Sequence, residues 1–196
     1  MRIFPEQLNR QAQRSLLGEV QAILEQAPLY RATMPRSGKP MSVRMSNAGP
    51  LGWYSDAAGY RYVATHPLTG APWPAMPPML LRLWFEVADY RAPPQACLIN
   101  VYDQDARLGL HRDEDEEDFA APVLSVSLGD DALFRLGGTT RKDPTRSFTL
   151  ASGDVLVLDG PSRLFYHGVD RIIAGSSRLI PGGGRINLTL RRVTKA

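Results

Sequence analysis

Apolar side chains recur at Leu8, Ala12, Leu16, Val20, Ile23, Leu24 and Ala27, the spacing of a helix that lays one stripe on a core. The pattern predicts a helix from Pro5 to Ala27, with Pro5 in its first turn and Pro28 closing it. A second stripe, Leu80, Leu81, Trp84, Val87 and Ala88, predicts a helix from about Pro78 to Tyr90, before Pro93-Pro94 forces the chain out. Between the two, Met41 to Pro78 is rich in Gly, Pro and aromatic residues and has little clean periodicity. It reads as short strands and ordered loops, the kind of segment that carries recognition. From Ala96 the pattern changes to short β-branched and apolar runs separated by turns: Ala96 to Tyr102, Val123 to Leu128, Leu133 to Leu136, Ser147 to Leu150, Asp154 to Leu158, Leu164 to His167 and Arg185 to Val193. So many short strands predict a sandwich or jelly roll.

The alternation near the C-terminus introduces chemistry. In Arg185-Ile-Asn187-Leu-Thr189-Leu-Arg191 the polar residues share one face of a strand and the apolar ones the other. Two arginines framing Asn and Thr suit a dicarboxylate, since a planar guanidinium binds a carboxylate through two parallel hydrogen bonds. Upstream, Asn100 and Tyr102 occupy one face of the run Ala96 to Tyr102 and can complete the same pocket. The chain holds 3 histidines. One opens His111-Arg112-Asp113, and another, His167, follows more than fifty residues later. Residues two apart on an extended backbone point to the same side, so His111 and Asp113 can reach one ion, with His167 arriving from a different strand. Two histidines and a carboxylate take one face of an octahedral Fe(II) and leave the other positions open.

Composition narrows the setting. With 196 residues, 43% of them hydrophobic, the chain forms one substantial core and is short for two domains. The single Cys97 excludes an internal disulfide framework and a thiolate metal cluster. The opening residues lack the apolar region of a signal peptide, and no stretch approaches the roughly 20 apolar residues that span a bilayer, so a cytoplasmic protein is expected. The net charge of +3 and pI near 9.2 suit a polyanionic partner without demanding one. Neither helical pattern requires a partner chain, and a monomer is expected.

Taken in order, several segments resemble the AlkB family of alkylation-repair dioxygenases. They are Cys97-Leu-Ile-Asn100-Val-Tyr102, Leu108-Gly-Leu-His111-Arg-Asp113-Glu-Asp115-Glu116, Val123-Leu-Ser-Val-Ser-Leu-Gly129, Ser162-Arg-Leu-Phe-Tyr-His167-Gly168 and Arg185-Ile-Asn187-Leu-Thr189-Leu-Arg191. The likeness runs from about Met41 to Arg192. It implies a mainly β fold with flanking helices, a double-stranded β-helix or jelly roll, carrying a nucleotide-recognition lid near its N-terminus. On that reading residues 1–40 form a helix and loop, 41–78 the lid, and 79–196 a helix and the catalytic core of one dioxygenase domain, 1–196. The resemblance implies iron held by His111, Asp113 and His167, and 2-oxoglutarate held by Asn100, Tyr102, Arg185, Asn187 and Arg191, with O2 as the second co-substrate. It places Met45, Trp53 and Tyr60 in the lid and Arg141 at a substrate contact.

Asp115 and Glu116 gain a meaning from the same comparison. Bases methylated on a ring nitrogen of the pairing edge, such as 1-methyladenine and 3-methylcytosine, carry positive charge. Carboxylates beside an aromatic slot favour that cation over a neutral base. The expected reaction is oxidative demethylation of such bases in alkylated DNA, single-stranded rather than double, with RNA as the alternative. It is coupled to decarboxylation of 2-oxoglutarate and releases formaldehyde, succinate and CO2. Two rival readings share the residues: an iron oxygenase acting on protein or lipid, and a jelly roll that binds without turnover.

Overall fold

The structure, a computed structural model, describes residues 1–196. Along the chain the elements run β1 (Arg2–Phe4), α1 (Arg10–Gln26), β2 (Arg44–Ala48), β3 (Gly52–Asp56), β4 (Gly59–Val63) and α2 (Pro78–Leu83). There follow β5 (Ala96–Tyr102), β6 (Leu108–His111), β7 (Val123–Gly129), β8 (Asp131–Leu136), β9 (Arg146–Leu150), β10 (Val155–Leu158), β11 (His167–Ile173) and β12 (Arg185–Arg191). Six strands form one antiparallel sheet in the order β1-β10-β7-β12-β5-β2, and four form a second in the order β6-β11-β8-β9. β3 and β4 make a separate hairpin.

Period-two alternation divides the large sheet between two cores. One face, with Cys97, Ile99, Leu124, Val126, Val155, Val157, Leu188 and Leu190, packs against Leu16, Val20 and Ile23 of α1 and Leu80 and Leu83 of α2. The opposite face, with Leu98, Tyr102, Val123, Leu156 and Leu158, meets Phe134, Leu136, Leu150, Val169 and Ile172 of the small sheet. Helices outside and a second sheet inside give the expected jelly roll. No helix is long and apolar enough to cross a membrane.

Several boundaries differ from the sequence pattern, each for a local reason. α1 starts at Arg10 because the Asn9 side chain accepts a 2.9 Å bond from the Ala12 amide, a favourable N-cap that overrides the Pro5 signal. Residues 2–4, ahead of the helix, pair with β10 as an edge strand. α2 passes into a π-helical turn, Trp84–Ala88, and stops at Asp89, whose φ of 53° is left-handed. The run Leu164 to His167 is not a strand: Gly160–Leu164 is a 3-10 turn in which Ser162 bonds back to Asp159, and β11 begins only at His167. β2, within the segment assigned to the lid, pairs with β5 along the edge of the large sheet.

Candidate active site

The three metal-type ligands are brought together by one strand pairing. His111 is the last residue of β6 and His167 the first of β11, and the two are register partners with ring centroids 4.5 Å apart. Asp113 lies just past the end of β6, its carboxylate 3.9 Å from His111 Nε2 and 3.8 Å from His167 Nε2. One ligand atom from each residue falls within 4.8 Å of the others. His111 Nδ1 donates to the Gly109 carbonyl at 3.0 Å and His167 Nδ1 to the Phe165 carbonyl at 2.9 Å. These bonds fix the tautomer, so both Nε2 lone pairs face Asp113. Burial, followed by the neighbouring His111, pushes His167 down to about 4, which keeps its imidazole neutral and ligating near neutral pH. Burial alone would favour the protonated Asp113, but Arg191 foremost, then His167 and His111, outweigh it and hold the carboxylate well below the usual range.

Deeper in the same cavity, of about 300 Å³, lie Arg185, Asn187, Thr189 and Arg191 of β12 with Asn100 and Tyr102 of β5. The polar face of β12 is therefore an inner wall. Arg185 is 1% exposed and donates to the carbonyls of Asp130 and Leu150 and, at 2.7 Å, to Ser127 Oγ. No carboxylate lies within ion-pair distance of it. A buried guanidinium without an anion is costly, and burial accordingly lowers its pKa. Arg191 donates to Asp113 Oδ1 at 2.9 Å. Buried atoms left without a protein partner include Asn100 Oδ1, Asp113 Oδ2, Arg185 Nε, and Arg191 Nε and Nη1. Unmatched guanidinium N–H groups at both ends of β12 and an unmatched carboxylate oxygen between two imidazoles fit a dicarboxylate and a cation bound side by side. Asn187 is more engaged: its amide bonds Ser125 Oγ and the Val126 carbonyl and accepts from Thr189. Tyr102 is 2% exposed, and burial pushes its phenol up to about 12.

The mouth of the cavity is aromatic and charged. Trp53 and Tyr60 stack with centroids 5.6 Å apart and planes at 21°, and Trp53 Nε1 donates to Asp115 Oδ2 at 2.8 Å. Burial raises the Asp115 pKa. Arg141 and Arg112 both lie over the Tyr166 ring, at 6.0 and 5.4 Å. Trp53, Tyr60, Asp115 and Arg141 all line the cavity. Two expected substrate residues do not. Met45 is 2% exposed in the inner core, its backbone paired with Tyr30 and Asn100, and Met41 lines the wall instead. Glu116 is turned inward to a buried ion pair with Arg163. Tyr166 and Arg163 were not identified from sequence. Tyr166 precedes a ligand in a turn, where strand alternation gives no guide, and Arg163 looks like any surface arginine until its guanidinium is seen on the Asp113 carbonyl.

Fold, triad and unmatched arginines together define an oxygenase that uses Fe(II) and 2-oxoglutarate. The sequence model of the 2OG-Fe(II) oxygenase superfamily matches residues 1–191. The chain is 60% identical over 196 residues to the alpha-ketoglutarate-dependent dioxygenase AlkB homolog of Caulobacter vibrioides, covering 99% of this chain and 88% of that one. It is 42% identical over 190 residues to the alpha-ketoglutarate-dependent dioxygenase AlkB of Escherichia coli, covering 94% and 86%. Among solved structures, that of OsALKBH1 superposes with a TM-score of 0.84 at 29% identity, over 97% of this chain and 95% of that one. The chain belongs to the AlkB family, and its co-substrates are 2-oxoglutarate and O2.

Proposed function

We propose that this dioxygenase oxidatively demethylates N-alkylated bases, such as 1-methyladenine and 3-methylcytosine, in single-stranded DNA, and so repairs alkylation damage directly. The observation that carries the reading is one cavity with the His111, Asp113 and His167 cluster and an unpaired Arg185 at its depth and a stacked Trp53–Tyr60 pair with Asp115 at its mouth. An enzyme working on a base must take it out of the stack, and aromatic faces receive it. The similar human protein named nucleic acid dioxygenase ALKBH1 supports the substrate class.

His111, Asp113 and His167 would hold the iron, and the unmatched N–H groups of Arg185 and Arg191 would bind the carboxylates of 2-oxoglutarate. When bound, iron with 2-oxoglutarate and O2 supplies the oxidation of the alkyl carbon, with decarboxylation to succinate and CO2. The protein supplies position and dryness: Val123, Phe134, Leu156, Leu158 and Val169 wall the cavity with apolar groups. Trp53 and Tyr60 hold the base by its faces, and Asp115 favours one that carries positive charge. The hydroxylated methyl group is a hemiaminal on a ring nitrogen, which breaks down to formaldehyde and the intact base. Arg141, exposed at the mouth, is placed for phosphate, whereas Arg112 beside it is half-buried and paired with Glu114. The chain acts as a monomer, and the buried, unpaired Cys97 supports a cytoplasmic setting.

The test is mass spectrometry of a short single-stranded oligonucleotide carrying one 1-methyladenine, incubated with protein, Fe(II), ascorbate and 2-oxoglutarate in air, beside the same lesion in a duplex. Loss of one methyl group in the complete mixture, faster on the single strand, is expected. Succinate formation with no methyl loss overturns the substrate while leaving the oxygenase.

A further inference from the structure

Asp115 and Glu116 are neighbours in sequence, and the chain sends them to opposite sides. Asp115 faces the cavity and takes the Trp53 indole N–H. Glu116 is 5% exposed and does not line the cavity. Its Oε2 accepts from Arg163 at 2.9 Å, and its Oε1 accepts from the Tyr62 hydroxyl and lies 3.5 Å from Arg191 Nε. Trp53 and Tyr62 are themselves register partners across the β3–β4 hairpin. The hairpin is thus pinned by one cross-strand pair to two consecutive carboxylates, one on the substrate side and one behind it.

Behind the cavity the contacts close on Asp113. Arg163 donates to the Asp113 carbonyl at 2.7 Å and to the Ala121 carbonyl at 2.8 Å. Arg191 donates through Nη2 to Asp113 Oδ1, while its Nε and Nη1 have no hydrogen-bond partner in the protein. A guanidinium is planar, with its N–H groups in a rigid fork. With Nη2 bonded to Asp113 and Nε 3.5 Å from Glu116, an ion-pair contact without a hydrogen bond, the two carboxylates bias the guanidinium plane, and the Nε and Nη1 N–H groups are left for an incoming acceptor.

We propose that Glu116, held by Tyr62 and Arg163, is a positioning residue for 2-oxoglutarate: it orients the Arg191 guanidinium and takes no part in choosing the base. The inference rests on the reading of Arg191 as a co-substrate contact. It separates the two acidic neighbours by role, Asp115 serving the substrate and Glu116 the co-substrate.

The experiment is a calorimetric titration of 2-oxoglutarate into Mn(II)-loaded protein, paired with steady-state turnover at varied 2-oxoglutarate on oligonucleotides carrying cationic 1-methyladenine or neutral 1-methylguanine. Glu116→Gln is expected to weaken 2-oxoglutarate binding about tenfold and to raise its KM while kcat at saturation holds. The ratio of turnover on the two lesions should stay unchanged. Tyr62→Phe, which keeps the ring and every charge, should shift the same quantities less, and it decides the matter if Glu116→Gln does not fold. Unchanged or tighter 2-oxoglutarate binding, or a changed lesion ratio, overturns the proposal. Arg191→Lys separates the levels: if it binds 2-oxoglutarate as the parent does, the co-substrate reading itself has failed. If it binds weakly while Glu116→Gln binds normally, only the positioning role has.

Discussion

At the residue scale, the metal cluster depends on a side chain that is missing. A Cβ on Gly168 would lie 2.5 Å from the Leu108 carbonyl oxygen and 3.0 Å from the Gly109 carbonyl, so glycine is what lets β6 approach β11 closely enough for His111 to face His167. Both obstacles are backbone and cannot swing aside. Gly168→Ala should therefore push β6 outward, costing about 1–3 kcal/mol of stability as overpacking does, and should weaken Mn(II) binding by displacing His111. Urea unfolding and a Mn(II) titration check the two effects, and a variant unchanged in both would show that β6 yields freely. The triad itself was legible mainly through the resemblance, since a His-x-Asp pair and one distant His are a weak signal by spacing and gain weight only from the ordered motifs around them. The third histidine, His66, bonds the Pro28 carbonyl and the amides of Leu68 and Thr69, which makes it a turn anchor. Glu116 and Met45 were misplaced for one reason. Which of two adjacent carboxylates faces a cavity depends on how the chain turns after β6, and Met45 lies on a sheet edge covered by Tyr30, a contact between segments fifteen residues apart that no local pattern encodes.

At the scale of elements, β12 shows what alternation can and cannot say. Its polar face was visible in the sequence, but whether that face met water or a cavity was decided by β8 and β11 closing over it. β6 and most of β11 were missed because they are short or half-exposed and interrupted by register shifts. The strand leaves Arg185 as a buried charge at its N-terminal end, with carbonyl and hydroxyl partners but no anion. Such a group gains most from a ligand carboxylate, through a bidentate, charge-assisted pair. Wild-type protein with Mn(II) and excess 2-oxoglutarate should melt higher than with Mn(II) alone, because a ligand that binds only the folded state stabilises it. Arg185→Met keeps much of the volume and should erase that increment while still binding Mn(II) through the untouched triad. An Arg185→Met protein that still gains stability from 2-oxoglutarate would place the dicarboxylate elsewhere.

At the scale of the whole molecule, the jelly roll buries groups that ionise only at high pH, and this sets a limit on alkaline stability. Burial pushes the Cys97 thiol up to about 12 from an ordinary 9.0, and the Tyr102 phenol up to about 12 from 10.0. Tyr30 and Tyr62 are raised as well, by burial first. Above about pH 9 the unfolded chain begins to release protons that the folded chain keeps. The folded state then binds more protons than the unfolded one, so stability falls as pH rises. The window opens near the unfolded thiol value and continues toward 12, with a slope of about 1.4 kcal/mol per pH unit for each proton retained. The urea midpoint should thus be lower at pH 10.5 than at pH 8, and Cys97 should react with a thiol reagent only as the protein unfolds. On the acid side the sign reverses. His167, lowered to about 4, resists the proton that the unfolded histidine accepts near 6.5, and metal-free protein should lose stability as pH falls through that interval. Loading with Mn(II) should raise stability wherever the ion binds the folded state, most near pH 8 and progressively less as pH falls, because the proton competes with the ion for the same Nε2. A Mn(II) increment as large at pH 4 as at pH 8 would mean that the ion and the proton do not compete at His167.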